Sequence, residues 1–210
     1  MLEYLDAGSL DLLRPRFPEI PQDARACVLV EADNDEWLDD FTAPESSCFE
    51  KSWFAAGPAD RERFRQFRHA LPEAVNDLVR RRNLTKMGSD FAVPVARNRD
   101  MLRIYRETLD REFPGQYVIF GHIGDAHLHV NVLPANDAEW QRASNLMTEF
   151  ARMAVELGGT VSAEHGLGKR KRHLLEIQYT PDEIEKMKYV KTRLDPDWLL
   201  GPGTLFVAAA

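Results

Sequence analysis

Two apolar runs, Tyr117–Ile123 and Leu128–Leu133, lie so close together that only a tight Gly124-Asp125 turn can join them. Residues of that kind favour a hairpin, so the pair predicts two adjoining strands. A buried strand is expected at Arg25–Glu31 (RACVLVE), a weaker one at Cys48–Trp53, and a strand-like segment at Thr160–Ala163. Helical spacing of Leu2, Leu5, Leu10 and Leu13 predicts a helix over the first dozen residues, ending before Pro15. Further helices are expected at Asn34–Phe41, from Pro58 onward, from about Arg97 to Arg111, from Asn136, and from Thr180-Pro181 to Leu194. Pro72 interrupts the second of these, which predicts a kink or two helices. Asn136 is placed to cap the amide of Glu139, Gly158 to close that helix, and Thr180 to form a capping box with Glu183. Strands that adjoin in sequence and mix with helices without strict alternation predict an α+β fold with an antiparallel sheet.

The chain has 210 residues, 44% of them hydrophobic, which suits one domain with a core of its own. Its 27 Lys and Arg against 34 Asp and Glu leave a net charge of -7, and so argue against general nucleic-acid affinity. Two cysteines, Cys27 and Cys48, are too few for a disulfide framework and point to a reducing compartment. No apolar stretch approaches the roughly 18 residues of a membrane span. The start, MLEYLDAGSLDLLRPRF, lacks the basic-then-apolar layout of a signal peptide. A cytoplasmic protein is expected.

Chemistry concentrates in two stretches. Within GHIGDAHLHVNVLP, His122, His127 and His129 fall inside eight residues. On a strand, His127 and His129 point to one face, and His122 across the turn can join them. Such imidazoles form a nitrogen platform for zinc or another divalent ion. Spacing alone leaves the alternative of exposed turn residues and satisfied core histidines open. The second stretch, GGTVSAEHGLGKRKR, sets Glu164-His165 among Gly158, Gly159, Gly166 and Gly168. A carboxylate there can complete an N,N,O ligand set with an open position, and a neighbouring histidine can move protons near neutral pH. One inward-facing arginine of the Arg61, Arg63, Arg65, Arg68 group can hold a substrate carboxylate. Phosphate-cradling loops, Cys-x-x-Cys and the nucleophile elbow are all absent.

These two stretches resemble the C-terminal, substrate-binding domain of FAD-linked oxidases of the vanillyl-alcohol oxidase superfamily. The likeness lies in the segment His122–Asn131, in Ser162-Ala163-Glu164-His165-Gly166, in Asp195-Pro196 with Pro202-Gly203, and in the opening LEYLDAGSL. The resemblance implies a ferredoxin-like α+β domain whose large antiparallel sheet, covered by helices, caps a flavin. It also implies His122, His129 and Glu164 as ligands of a divalent metal, zinc first, with manganese or iron as alternatives. His165 becomes the base, Asn131 a substrate contact and Arg68 the grip on a substrate carboxylate. His127 competes with His129 from the same face, and the resemblance favours His129. The chain departs from the family's pattern at His127, often asparagine, and Ala126, often glycine. It also has Gly88 two residues before Asp90, where some members place a substrate lysine.

Residues 1–210 then form one substrate- and metal-binding domain, with FAD held mainly by an FAD-binding domain or subunit outside this chain. The implied function is that of a flavin-dependent dehydrogenase or oxidase of small 2-hydroxyacids, of the D-lactate, D-2-hydroxyglutarate or glycolate type, catalytically incomplete alone. The alternative is a non-catalytic, metal-stabilised or partner-binding module derived from that family. Neither nucleic acid nor a membrane span is expected.

Overall fold

The computed structural model describes residues 1–45, 48–55 and 57–207; Ala208–Ala210 lie outside them. Its centre is one five-stranded antiparallel sheet built from β1 (Leu2–Asp6), β2 (Ala26–Val30), β3 (Met87–Gly88), β4 (Tyr117–His122) and β5 (His127–Val132), in the order β2-β1-β4-β5-β3. The expected α+β class with a large antiparallel sheet is the one adopted. Among the described residues no helix is long and apolar enough to cross a membrane.

The hairpin β4–β5 forms where expected, its register running from Tyr117↔Val132 to His122↔His127, but a 3-10 turn at Ile123–Asp125 and a left-handed Ala126 join the strands in place of a tight Gly124-Asp125 turn. Alternation along the strands divides the core into two layers. Ile119, Leu128, Val130 and Val132 face one side, where α3 (Asn98–Glu112) and α4 (Asp137–Glu156) pack through Tyr105, Leu109 and Phe150. Leu5, Val118 and Leu133 face the other side, against α1 (Ala7–Leu13) and α2 (Pro58–Arg82). On that second side Phe120, His127, His129 and Asn131 follow by period two, and the histidine end of the face lies beyond the apolar layer.

Local signals account for α4 and α6 (Pro181–Leu194). Asn136 accepts from the Glu139 amide at 3.0 Å, and Thr180 and Glu183 exchange both bonds of a capping box. A four-residue helix, α5 (Leu175–Gln178), precedes α6.

Several expectations are corrected. The first dozen residues do not form one helix: residues 2–6 are the second strand of the sheet, and α1 starts only after Asp6, whose carboxylate caps the Ser9 amide at 2.8 Å. Tyr4 enters one core layer and Leu5 the other, so β1 is apolar on both faces and mimics the three-residue leucine spacing of a helix. Strand β2 pairs only with β1, at the sheet edge, and leaves Val28 half exposed, so it is not a buried strand. Helix α2 runs uninterrupted through Pro72. Phe67, Ala70 and Leu71 before the proline and Val75 after it bury in the same layer, which holds the helix together despite the missing amide. Cys48–Trp53 holds a short 3-10 turn at Phe49–Lys51, and Asn34–Phe41 only one at Glu36–Leu38. Thr160–Ala163 reduces to a single antiparallel bridge with Ala92.

Candidate active site

Residues facing one another across an antiparallel ladder share a face, so the register His122↔His127 and Phe120↔His129 sets all three imidazoles on one side of the hairpin. Ring centroids are 5.6 Å apart for His122 and His127, 4.4 Å for His127 and His129, and 5.7 Å for His122 and His129. Room for this crowding comes from Gly121, at φ +125°; a Cβ there would stand 2.8 Å from His129 Cδ2.

The loop 162–165 closes over these rings because Asp90 holds it. Asp90 is buried beside the bridge formed by Ala92 and Thr160. Its carboxylate accepts from the Ser162 hydroxyl at 2.7 Å, the His165 amide at 2.9 Å and the Glu164 amide at 3.3 Å, and its carbonyl accepts from the Ala163 amide at 2.9 Å. Burial alone would push the Asp90 carboxyl up. The Ser162 and His165 hydrogen bonds and the nearby His165 ring outweigh it and hold the group below the ordinary carboxylate range.

Glu164 thereby reaches the hairpin. Its Oε1 lies 3.2 Å from His122 Nε2 and 3.7 Å from His127 Nδ1. One ligand atom from each of His122, His127, His129 and Glu164 lies within 4.8 Å of the others. The structure thus brings together the three predicted ligands and adds His127 to them. His165 stands beside the group, its ring stacked on His129 at 5.4 Å and 18°, Nδ1 3.3 Å from Asp90 Oδ1 and Nε2 3.9 Å from Glu164 Oε2. A second overlapping set, Asp90, His129 and His165, is similarly close.

The donor chemistry fits a cation. Glu3, buried on β1, accepts from His122 Nδ1 at 2.8 Å, and His122 Nε2 faces the Glu164 carboxylate at 3.2 Å. Buried His127 Nε2 is 3.2 Å from Asp90 Oδ1 but out of hydrogen-bond alignment, and it has no hydrogen-bond partner among the described residues. Burial pushes His127 below the usual histidine range. Burial, followed by the charges of His127 and His122, pushes His129 down to about 4. Neutral imidazole is the form that binds metal.

The expected substrate contacts sit around this centre. Asn131 is buried opposite Gly88, and a Cβ at Gly88 would meet Asn131 Oδ1 at 3.3 Å. Arg68, on α2, donates through Nη2 to Glu3 at 2.6 Å, so Glu3 links the arginine to His122. The Lys86 ammonium turns away to Asn76 on α2, whereas Lys171, its pKa lowered by burial, donates to the Gly88 carbonyl at 2.8 Å. Sequence reasoning missed Glu3 and Asp90 as site residues. A glutamate inside the apolar run LEYL was the available signal for the first; for Asp90 it was the family resemblance, in which some members place a substrate lysine two residues before an aspartate at this position.

Comparison with known proteins places the chain in a family. The family described as FAD linked oxidases, C-terminal domain, matches residues 1–205. The chain is similar to a D-2-hydroxyglutarate dehydrogenase of Stutzerimonas stutzeri (strain A1501), 30% identical over 87% of this chain and 40% of that protein. It is also 30% identical to glycolate oxidase subunit GlcD of Bacillus subtilis (strain 168), over 100% of this chain and 45% of that one. A probable mitochondrial D-lactate dehydrogenase of Danio rerio is 36% identical over 55% of this chain and 23% of its own length. The chain spans less than half the length of these relatives. With the match running from its first residue to residue 205, the chain belongs to the FAD-linked oxidase C-terminal domain family.

Proposed function

We propose that this chain is the substrate- and metal-binding domain of a flavin-dependent 2-hydroxyacid dehydrogenase or oxidase, working with an FAD-binding domain or subunit. The observation that carries the reading is the meeting of Glu164 with His122 and His129 beside an exposed histidine, His165, backed by a buried carboxylate. When bound, a divalent ion, zinc in first place, supplies Lewis-acid lowering of the substrate hydroxyl pKa, and FAD supplies the hydride acceptor. His122, His129 and Glu164 would hold the ion.

His165 is the base. Its Nδ1 faces Asp90, which fixes the tautomer and leaves Nε2 to take the hydroxyl proton as the Cα hydride departs and the 2-oxoacid forms. Arg68 engages Glu3 through one nitrogen, and the remaining donors of its guanidinium suit a substrate carboxylate. Asn131, held rigid on β5, orients the same end of the substrate.

The test supplies a flavin domain to the chain and assays a panel of 2-hydroxyacids including D-lactate, D-2-hydroxyglutarate and glycolate. Oxidation of at least one member is expected, and His165→Asn should abolish it while leaving zinc bound. Zinc binding with no oxidation across the panel would reject the enzyme reading in favour of a non-catalytic, metal-stabilised module.

A further inference from the structure

His127 is the one imidazole of the hairpin that the proposed ligand set leaves without a task, yet it lies as deep in the cluster as its neighbours. We propose that His127 is a fourth protein ligand, so that the centre holds a divalent ion with three imidazoles and one carboxylate and takes the substrate hydroxyl as a fifth ligand. The proposal rests on the reading of His122, His129 and Glu164 as metal ligands.

Convergence is the first argument. His127 Nδ1 and His122 Nε2 approach the same Glu164 oxygen, at 3.7 and 3.2 Å. Ligands about 2.0–2.2 Å from one zinc sit roughly 3–3.5 Å from their nearest neighbours, so these two separations need little adjustment. The His127 ring is also the one nearest His129, at 4.4 Å between centroids.

A shared pattern behind the rings is the second argument. A metal-bound imidazole commonly gives its other N–H to a carboxylate, which orients the ring and raises its basicity. His122 has Glu3 behind it, 2.8 Å from Nδ1, and His127 has Asp90 behind it, 3.2 Å from Nε2. Both carboxylates are buried, and both leave the opposite nitrogen aimed at Glu164. An ordinary core histidine satisfies its nitrogens with protein partners, because an unmet buried polar atom is costly. Nε2 of buried His127 has no well-aligned hydrogen-bond partner among the described residues, although Asp90 Oδ1 stands 3.2 Å away. A cation on Nδ1, with the Nε2 proton aligned to Asp90, satisfies both ends of the ring.

A third nitrogen makes the centre softer. Imidazole-rich sets favour zinc and its late-transition neighbours, whereas manganese and magnesium favour oxygen donors. The chain should therefore prefer zinc to manganese by a wide margin, and loss of His127 should narrow that margin.

Zinc K-edge X-ray absorption of the zinc-loaded full chain counts imidazoles directly, without a substitution. Three imidazoles per zinc are expected, and two would overturn the proposal while leaving the smaller ligand set standing. No zinc bound at all would overturn both. In parallel, His127→Asn, checked for native circular dichroism, should lose at least tenfold in zinc affinity by chelator competition, since even outer-shell partners of a ligand are worth roughly 10–100-fold. Unchanged affinity in a folded variant would also overturn the proposal.

Discussion

Replacing Asp90 by asparagine keeps the side-chain shape and removes its charge, which isolates what the carboxylate does for the loop 162–165. Asp90 is 1% exposed and accepts from the Ser162 hydroxyl and from the His165 and Glu164 amides. Hydrogen bonds to a charged acceptor contribute about 1.5–3 kcal/mol each and neutral ones about 0.5–1.5. Asparagine retains one acceptor oxygen and turns the other position into a donor, which faces N–H and O–H groups that are donors themselves. One buried donor is then left unmet, at about 1–3 kcal/mol, and the surviving bonds weaken. Relief from burying a charge offsets part of this, leaving an expected loss of about 2–4 kcal/mol. Urea unfolding reads it as a lower midpoint at unchanged slope. Amide exchange at Glu164 and His165 should accelerate in the folded variant. A loss under about 1 kcal/mol, equal to that of the exposed control Asp197→Asn, would refute the view that Asp90 pins the loop.

Other expectations follow from single residues. Gly121→Ala forces φ +125° on an alanine and drives its Cβ to 2.8 Å from His129 Cδ2, so it should cost about 1–3 kcal/mol in backbone strain and weaken zinc retention in the same preparation. Phe150, fully buried with its ring edge on Tyr105 at 4.8 Å, should cost about 3–5 kcal/mol as Phe150→Ala by urea unfolding, with a smaller loss arguing against its place at the centre of the core. Burial pushes the Cys27 thiol up to about 11, so at pH 8 a thiol reagent should modify it on the order of 100-fold more slowly in the native chain than in the unfolded one. Equal rates would show that β2 is frayed.

Much of the fold was written in local chemistry. The hairpin, α4 and α6 each carry their own turn or cap: the short connection around Gly124 and Asp125 (a 3-10 turn at Ile123–Asp125), Asn136, and Thr180 with Glu183. Strand β1 was not legible, because a strand covered on both faces loses the polar alternation that distinguishes it from a helix. Pro72 misled for a related reason: burial on both sides of it outweighs the local preference to break. In the site, the histidines could be read because the register of a short hairpin follows from its turn. Glu3 and Asp90 could not, since what they touch depends on β1 pairing with β4 and on Ala92 meeting Thr160, contacts between segments far apart in sequence. They are also the two carboxylates that orient His122 and His165.

The most direct test of a metal centre at the β4–β5 turn is equilibrium dialysis of the purified chain against zinc, with elemental analysis of the retained metal. One zinc per chain is predicted, with affinity falling by at least about tenfold in Glu164→Gln while thermal unfolding of the metal-free proteins stays alike. A chain that retains no zinc, or a Glu164→Gln variant that retains it as tightly as the parent, would contradict the account.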